Sequence, residues 1–340
     1  MKLAVVGLGF MGSTHLKAYK NIPGAELFAV ASDDPIKLTG DLSEIQGNLG
    51  GPGETFDFSN IRKYKDYHDV CADPDVEAVD LCLPTDLHAD AAITALNAGK
   101  HVLVEKPMAI SGEDCDRMLA AAEKSGKVLM VAQVLRFFPS YVALADLLKS
   151  GSLGPVRSAL FRRRCAAPAW SKWLVDPKRG GGGVFDLLIH DIDMVLHLFG
   201  QPSEISATGF EDLTNGIDHL TANLYYPDID GAITVSGGWH HRKAYPFSME
   251  YTVVAQNGTV DFSSSGRPTT LFKTDGEEVA IEQPGIDGFE AELAYYISTC
   301  IAGKQPERCP PRESAAAVAL TQTLVDLRKD KGAKSKWKSV

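Results

Sequence analysis

The sequence predicts an α/β protein of two domains. The first is a Rossmann-type doubly wound parallel sheet, and the second is an α/β domain with an open, mostly antiparallel mixed sheet. Three observations lead there. Short apolar strands alternate with helices over residues 2–132, and a G-x-G-x-x-G turn follows the first strand directly. Beyond residue 150, strands succeed one another without helices between them, which rules out continued parallel winding.

Lys2 to Val6 is a short β-favouring run, and Gly7-Leu8-Gly9-Phe10-Met11-Gly12 opens a helix carrying Leu16 and Tyr19. Pro23-Gly24 breaks that helix, and Glu26 to Ala31 forms the next strand, ending at Ser32-Asp33-Asp34. Residues 40–60, rich in Gly, Ser and Asn, read as a surface excursion with room for a short helix. Winding resumes with a strand over Ala78 to Leu83, a helix over His88 to Ala98 and a strand over His101 to Glu105. Ser111 and Asp114 form a capping-box pair at the start of a helix that sets Cys115, Met118, Leu119 and Ala122 on one face. Val128 to Ala132 is the last strand of this kind. The expected boundary is therefore at 128, giving a nucleotide-binding domain over 1–128 and a substrate-binding and oligomerisation domain over 129–340. In the second, a helix spans Ser140 to Leu148, and strands run over Val156 to Arg163, His219 to Tyr226, Ala232 to Trp239, Met249 to Ala255 and Thr259 to Phe262. Two helices, Gly288 to Ala302 and Glu313 to Lys329, close the chain.

Composition excludes several classes. At 340 residues and 44% hydrophobic, the chain can bury two cores. The net charge of −10 with dispersed Lys and Arg argues against a nucleic-acid partner, and the basic tail Lys331 to Lys338 reads as a solvated end. The 6 cysteines show neither C-x-x-C pairs nor a disulfide ladder, which suits reduced thiols in a cytoplasm. No apolar run approaches membrane-spanning length, and the first strand leaves no room for a signal segment after Met1. The expectation is a soluble, unprocessed cytoplasmic protein with no membrane partner.

Three motifs carry chemistry. The glycine turn, between a strand and a helix, presents free N–H groups and a helix dipole to a pyrophosphate; Gly7, Gly9, Phe10, Met11 and Gly12 are the expected contacts. Asp33 and Asp34 can accept from the adenosine ribose, favouring NAD. Ser32 stands where an acid is expected, and Lys37 can reach a 2′-phosphate, so NADP stays open. Glu105-Lys106-Pro107 ends a strand at the ligand-binding edge, where a lysine can hydrogen-bond a substrate hydroxyl and move its proton. Finally, Gly180-Gly181-Gly182-Gly183 lets the backbone approach a ligand before a helix in which Asp186 and His190, four apart, share a face. Asp193 and His197 continue that face. A metal set of His190, Asp193 and His197 can be drawn, but no second ligand cluster accompanies it and hydride transfer needs none, so no metal is expected. Trp170 and Trp173 can wall a sugar or pack in a core. His240 and His241 sit on opposite pleats and receive no role.

The order of these motifs, with Pro84-Thr85-Asp86-Leu87-His88 and Ala98-Gly99-Lys100-His101-Val102, resembles the glucose-fructose oxidoreductase and inositol 2-dehydrogenase (Gfo/Idh/MocA) family over most of the chain. The resemblance implies that Lys106, Asp186 and His190 are the catalytic lysine, aspartate and histidine, and that the peptide before Pro107 is cis. It adds Leu83, Pro84, Thr85, His88, Glu105 and Lys106 to the cofactor contacts, and Arg136, in Arg136-Phe137-Phe138-Pro139, to the substrate site beside Trp173, with an interdomain ion pair as the other reading of Arg136. The implied function is an NAD(P)-dependent oxidoreductase that moves hydride between nicotinamide and a carbinol or carbonyl carbon of a sugar, cyclitol or related polyol. Its active site would lie in the cleft between domains and its assembly would be a homodimer or homotetramer. A sensor that keeps the fold without turnover, and an NAD-dependent glycoside hydrolase, are the alternatives.

Overall fold

The computed structural model describes residues 1–47, 53–168, 171–211 and 218–338, which form two compact units. The first comprises Met1–Val134 with Asp287–Ala315, and the second comprises Leu135–Ile286 with Ala316–Val340.

The first unit is built on a six-stranded parallel sheet of β1 (Lys2–Val6), β2 (Glu26–Ala31), β3 (Arg62–Tyr64), β4 (Ala78–Leu81), β5 (His101–Glu105) and β6 (Leu129–Ala132), in the order β3-β2-β1-β4-β5-β6. Its central strands are buried along their whole length, which requires the near-continuous apolar runs seen in Leu3–Val6 and Val102–Val104. Helices α1 (Phe10–Tyr19), α2 (Tyr67–Ala72), α3 (His88–Asn97) and α4 (Gly112–Ser125) make the crossovers. The Ser111 hydroxyl caps α4 by accepting from Asp114 N–H at 3.1 Å, and Gly126 ends it in the left-handed region. β6 pairs with β5, Val104 opposite Val131, so the sheet continues past the boundary expected at 128. α8 (Gly288–Ile301) also returns to this unit and packs on α1, a long-range contact that local sequence pattern does not encode.

The 40–60 segment carries only an isolated bridge between Asp41 and Thr55, with Leu42, Phe56 and Phe58 buried; its residues 48–52 lie outside the described set.

The second unit holds a nine-stranded mixed sheet in the order β14-β13-β12-β11-β7-β10-β9-β8-β15. The strands are β7 (Val156–Ala166), β8 (Glu204–Phe210), β9 (His219–Tyr225), β10 (Ile233–His241), β11 (Ser248–Ala255), β12 (Gly258–Ser263), β13 (Arg267–Lys273), β14 (Glu278–Ala280) and β15 (Ser335–Lys336). Among the described residues of this sheet, only β7 and β10 pair in parallel. Helices α5 (Pro139–Lys149), α6 (Pro177–Gly180) and α7 (Ile189–Phe199) belong to this unit, and α9 (Pro311–Leu327) runs from the first unit into it. Burial alternates along the strands: Leu220, Ala222 and Leu224 of β9 are in the core, whereas Thr221 and Asn223 bond to Ser236 and Thr234 on the other face. Among the described residues, no helix is long and apolar enough to cross a membrane.

Candidate active site

The glycine turn separates into three roles. Gly7 has φ +93°, and a β-carbon there would lie 2.4 Å from the Cys82 carbonyl oxygen. A β-carbon on Gly12 would lie 2.0 Å from the Gly7 carbonyl oxygen. Both glycines are demanded by the turn itself. At Gly9, a β-carbon would meet nothing within 4 Å, yet Gly9 is the N-cap of α1 and makes no side-chain cap. That open space at the N-terminus of α1, where the helix dipole favours an anion, fits a dinucleotide pyrophosphate, which a side chain there would obstruct. Phe10 and Met11 follow, half-buried, at the helix start.

At the end of β2, Ser32 is buried and its hydroxyl accepts from Asp34 N–H at 3.1 Å, while Asp34 Oδ1 accepts from Ile36 N–H at 2.9 Å. Asp33 is exposed beside them, and Lys37 begins a short 3-10 turn over Lys37–Thr39. Asp34 is thus spent on local structure, and Asp33 is the carboxylate turned to solvent at the strand end.

Lys106 follows the last residue of β5 at the carboxyl edge of the sheet, and the Lys106–Pro107 peptide is cis. Two of the residues expected as dinucleotide contacts make buried contacts within the fold. Glu105 is buried: Oε1 lies 3.2 Å from His15 Nε2, and Oε2 accepts from Lys106 N–H at 3.1 Å. His88 is 1% exposed and set between two carbonyl oxygens, Pro107 at 2.9 Å from Nδ1 and Leu83 at 2.9 Å from Nε2. Burial holds its pKa below the ordinary value. A neutral imidazole has one N–H, so His88 donates to one of these carbonyls and packs, buried, between the Leu83-Pro84-Thr85 turn and Pro107. Thr85 is buried, whereas Leu83 and Pro84 are half-exposed.

In the second unit, Asp186 lies in a π-helical turn over Val184–Leu188, closed by Ile189 N–H donating to the Val184 carbonyl, and His190 lies in the first turn of α7. Both side chains are half-exposed.

The residues around them are committed to structure. Arg136 is 2% exposed, and Nε and Nη2 donate to Asp193 Oδ2 and Oδ1 at 2.9 and 2.7 Å. Asp191, also buried, accepts from Arg163 Nε at 2.7 Å and Nη2 at 3.3 Å. Burial raises the Asp191 pKa against the pull of Arg163. Two buried ion pairs within this unit therefore pin the helix that carries His190. The Arg136 ion pair is thus formed within this unit, where the sequence suggests one between domains.

The glycine run is also structural. A β-carbon on Gly183 would press the Trp239 ring at 3.0 Å, and one on Gly180 would lie 2.8 Å from the Leu174 carbonyl oxygen. Trp239 forms a core with Cys165, Leu174 and Leu187, against which Trp173 packs half-buried. Trp170 lies outside the described residues.

Comparison with known proteins agrees with this architecture. Residues 1–133 match the GFO_IDH_MocA oxidoreductase family, NAD-binding Rossmann fold, and residues 141–261 match the GFO/IDH/MocA C-terminal domain. Myo-inositol 2-dehydrogenase of Thermotoga maritima is 29% identical over 281 residues, covering 81% of this chain and 78% of that protein. Among solved structures, levoglucosan dehydrogenase in complex with NADH superimposes with TM-score 0.85 at 19% identity, covering 100% of both chains. Aldose-aldose oxidoreductase from Caulobacter crescentus, complexed with glycerol, superimposes with TM-score 0.84 at 21% identity over 99% of each chain. With both of its domains matched, the chain belongs to the Gfo/Idh/MocA family of oxidoreductases, whose N-terminal domain is an NAD-binding Rossmann fold.

Proposed function

We propose that this protein is an NAD-dependent dehydrogenase that interconverts a carbinol and a carbonyl carbon on a sugar, cyclitol or related polyol. The observation that carries the reading is the position of Lys106. It stands at the carboxyl end of β5, on the sheet edge where the same unit's glycine turn leaves Gly9 open to a pyrophosphate. The names of the relatives support the substrate class, since inositol, levoglucosan and aldoses all offer secondary hydroxyls or their carbonyl forms.

Gly9 and the first turn of α1 would hold the pyrophosphate, and Asp33 the adenosine ribose. When bound, nicotinamide supplies the hydride acceptor. Lys106 Nζ donates to the oxygen on the reacting carbon and stabilises the charge that develops there. His190 removes the proton from that oxygen in the oxidation direction and returns it in reduction. Asp186 favours the imidazolium that His190 becomes. Arg136 acts one step back, by fixing Asp193 on the same helix as His190.

NAD is preferred to NADP in this reading, because the exposed Asp33 carboxylate would repel a 2′-phosphate. A homodimer or homotetramer is proposed as well. The outward face of the nine-stranded sheet carries Leu160 and Val254, 36% and 37% exposed, among rows of paired polar residues. The test of function is a screen of aldoses, cyclitols and their keto forms against both cofactors, read by nicotinamide absorbance. Turnover of at least one polyol with NAD is expected; cofactor binding with no turnover across the set would refute the reading.

A further inference from the structure

Beneath the glycine turn lies a buried polar cluster that none of the roles above uses. His15, one turn into α1, is 0% exposed. Its Nδ1 lies 2.8 Å from Asp80 Oδ2 in the middle of β4, and its Nε2 lies 3.2 Å from Glu105 Oε1 at the end of β5. Tyr19 O–H donates to the same Asp80 oxygen at 3.0 Å, and the Cys82 thiol lies 3.5 Å from both Asp80 Oδ1 and His15 Nδ1. α8 closes the cluster with the Phe289 ring, 6.4 Å from that of His15, and carries the buried Tyr296 and Glu292. The His15, Asp80 and Cys82 donor atoms all lie within 4.8 Å of one another, but their separations are hydrogen-bond distances.

The chemistry follows from counting protons. Two carboxylates flank one imidazole, and a neutral ring can satisfy only one of them. Burial opposes charge on the ring, but Asp80, with Cys82, outweighs it and holds the imidazole pKa well above 6.5. Doubly protonated, His15 donates from Nδ1 to Asp80 and sets its charged Nε2 side against Glu105 as an ion pair. The far side is Glu105, whose other oxygen holds the Lys106 N–H. Hydrogen bonds on either side of one ion-pair contact, His15 Nε2 to Glu105 Oε1 at 3.2 Å, therefore link β4, the helix of the pyrophosphate turn and the backbone of the lysine at the sheet edge.

We propose that His15 is a positioning residue for the reaction: bridging Asp80 and Glu105, it fixes the Lys106 backbone relative to the α1 helix whose N-terminus receives the dinucleotide. This rests on the assignment of Lys106 above. His15 touches neither cofactor nor substrate, so its loss acts on turnover more than on cofactor affinity.

Two variants separate positioning from packing. His15→Leu fills the space without a donor, whereas His15→Gln keeps an N–H that can reach Glu105. The expected result for His15→Leu is a kcat lower by roughly 10- to 100-fold, the scale of a small misplacement of a reacting group, with NADH affinity by calorimetry near wild type. His15→Gln should recover part of that kcat even if it is the less stable of the two. A packing role reverses the order, with Leu at least as active as Gln, and overturns the proposal. Nitrogen NMR of the wild-type chain provides an arm that needs no variant. Both His15 ring nitrogens should be protonated in mildly alkaline buffer, and a singly protonated ring contradicts the bridge. Lys106→Met is run alongside. If it retains turnover, the assignment of Lys106 fails; if it is inactive while His15→Leu turns over like wild type, only the role of His15 fails.

Discussion

The carbonyl oxygen of Gly7 occupies the space that a β-carbon on Gly12 would need, 2.0 Å away, while a β-carbon on Gly9 between them meets no atom of the described residues within 4 Å. The two kinds of glycine should therefore fail differently. Gly9→Val is expected to abolish dinucleotide binding by calorimetry with little change in unfolding midpoint, and Gly12→Val to unfold the first unit. Wild-type NAD affinity in Gly9→Val would contradict the pyrophosphate assignment.

Asp33 sets cofactor choice in this account, since Asp34 and Ser32 are bound to each other and to the backbone. Removing one charged partner typically changes binding by about 1–3 kcal/mol. Asp33→Ser should weaken NAD by that amount and improve NADP, as measured by calorimetry with each. A parallel loss for both cofactors would show that Asp33 does not read the ribose. Lys37→Ala should then leave NAD unchanged.

The Arg136–Asp193 pair is buried within one unit, and breaking it leaves an uncompensated charge. Arg136→Ala should lose about 3–5 kcal/mol in denaturant unfolding, whereas Arg136→Met combined with Asp193→Leu should recover most of it. A loss within the 0–1 kcal/mol typical of exposed pairs would mean that the pair is not desolvated.

Stability should fall on acidification through the histidines. Burial, with the neighbouring His219 and His241, brings His240 down to about 4, and burial lowers His88 and His219 as well. Unfolded imidazoles take up protons near 6.5, so between that pH and about 4 the unfolded chain binds more protons and stability drops as pH falls. His15 has the opposite sign: its raised pKa contributes stability below 6.5 that is lost as pH climbs through the elevated value. Urea unfolding across pH should show the acid loss reduced in His240→Gln; an identical slope in that variant would exclude His240 as a source.

The first domain was legible because two strong local signals coincide, apolar strands buried on both faces and a glycine turn placed between strand and helix. β3 was not, since its residues Arg62-Lys63-Tyr64 are polar and it is placed by pairing with β2 and by bonds of Arg62 and Tyr64 to Asp73, none of them a local sequence pattern. The return of α8 to the first unit is a tertiary contact with no local code. In the site, residue types pointed to Lys106, Asp186 and His190, but spacing alone could not show the π turn between the last two. Glu105 and His88 lie in motifs at the sheet edge, and what the sequence could not show is that both also make buried contacts inside the fold. One signal was overlooked. Asp80 is a carboxylate inside an otherwise apolar buried strand, and such a group must have a partner, which led to His15.

The central claim, that Lys106 and His190 act on the reacting hydroxyl and not on the cofactor, is tested most directly by Lys106→Met and His190→Ala on a polyol the wild type turns over. Single-turnover nicotinamide absorbance and NADH affinity would be measured on the same samples. General acid–base groups contribute roughly 10²- to 10⁴-fold, so each variant should bind NADH like wild type and lose turnover on that scale. Near-wild-type turnover in either variant would contradict the account.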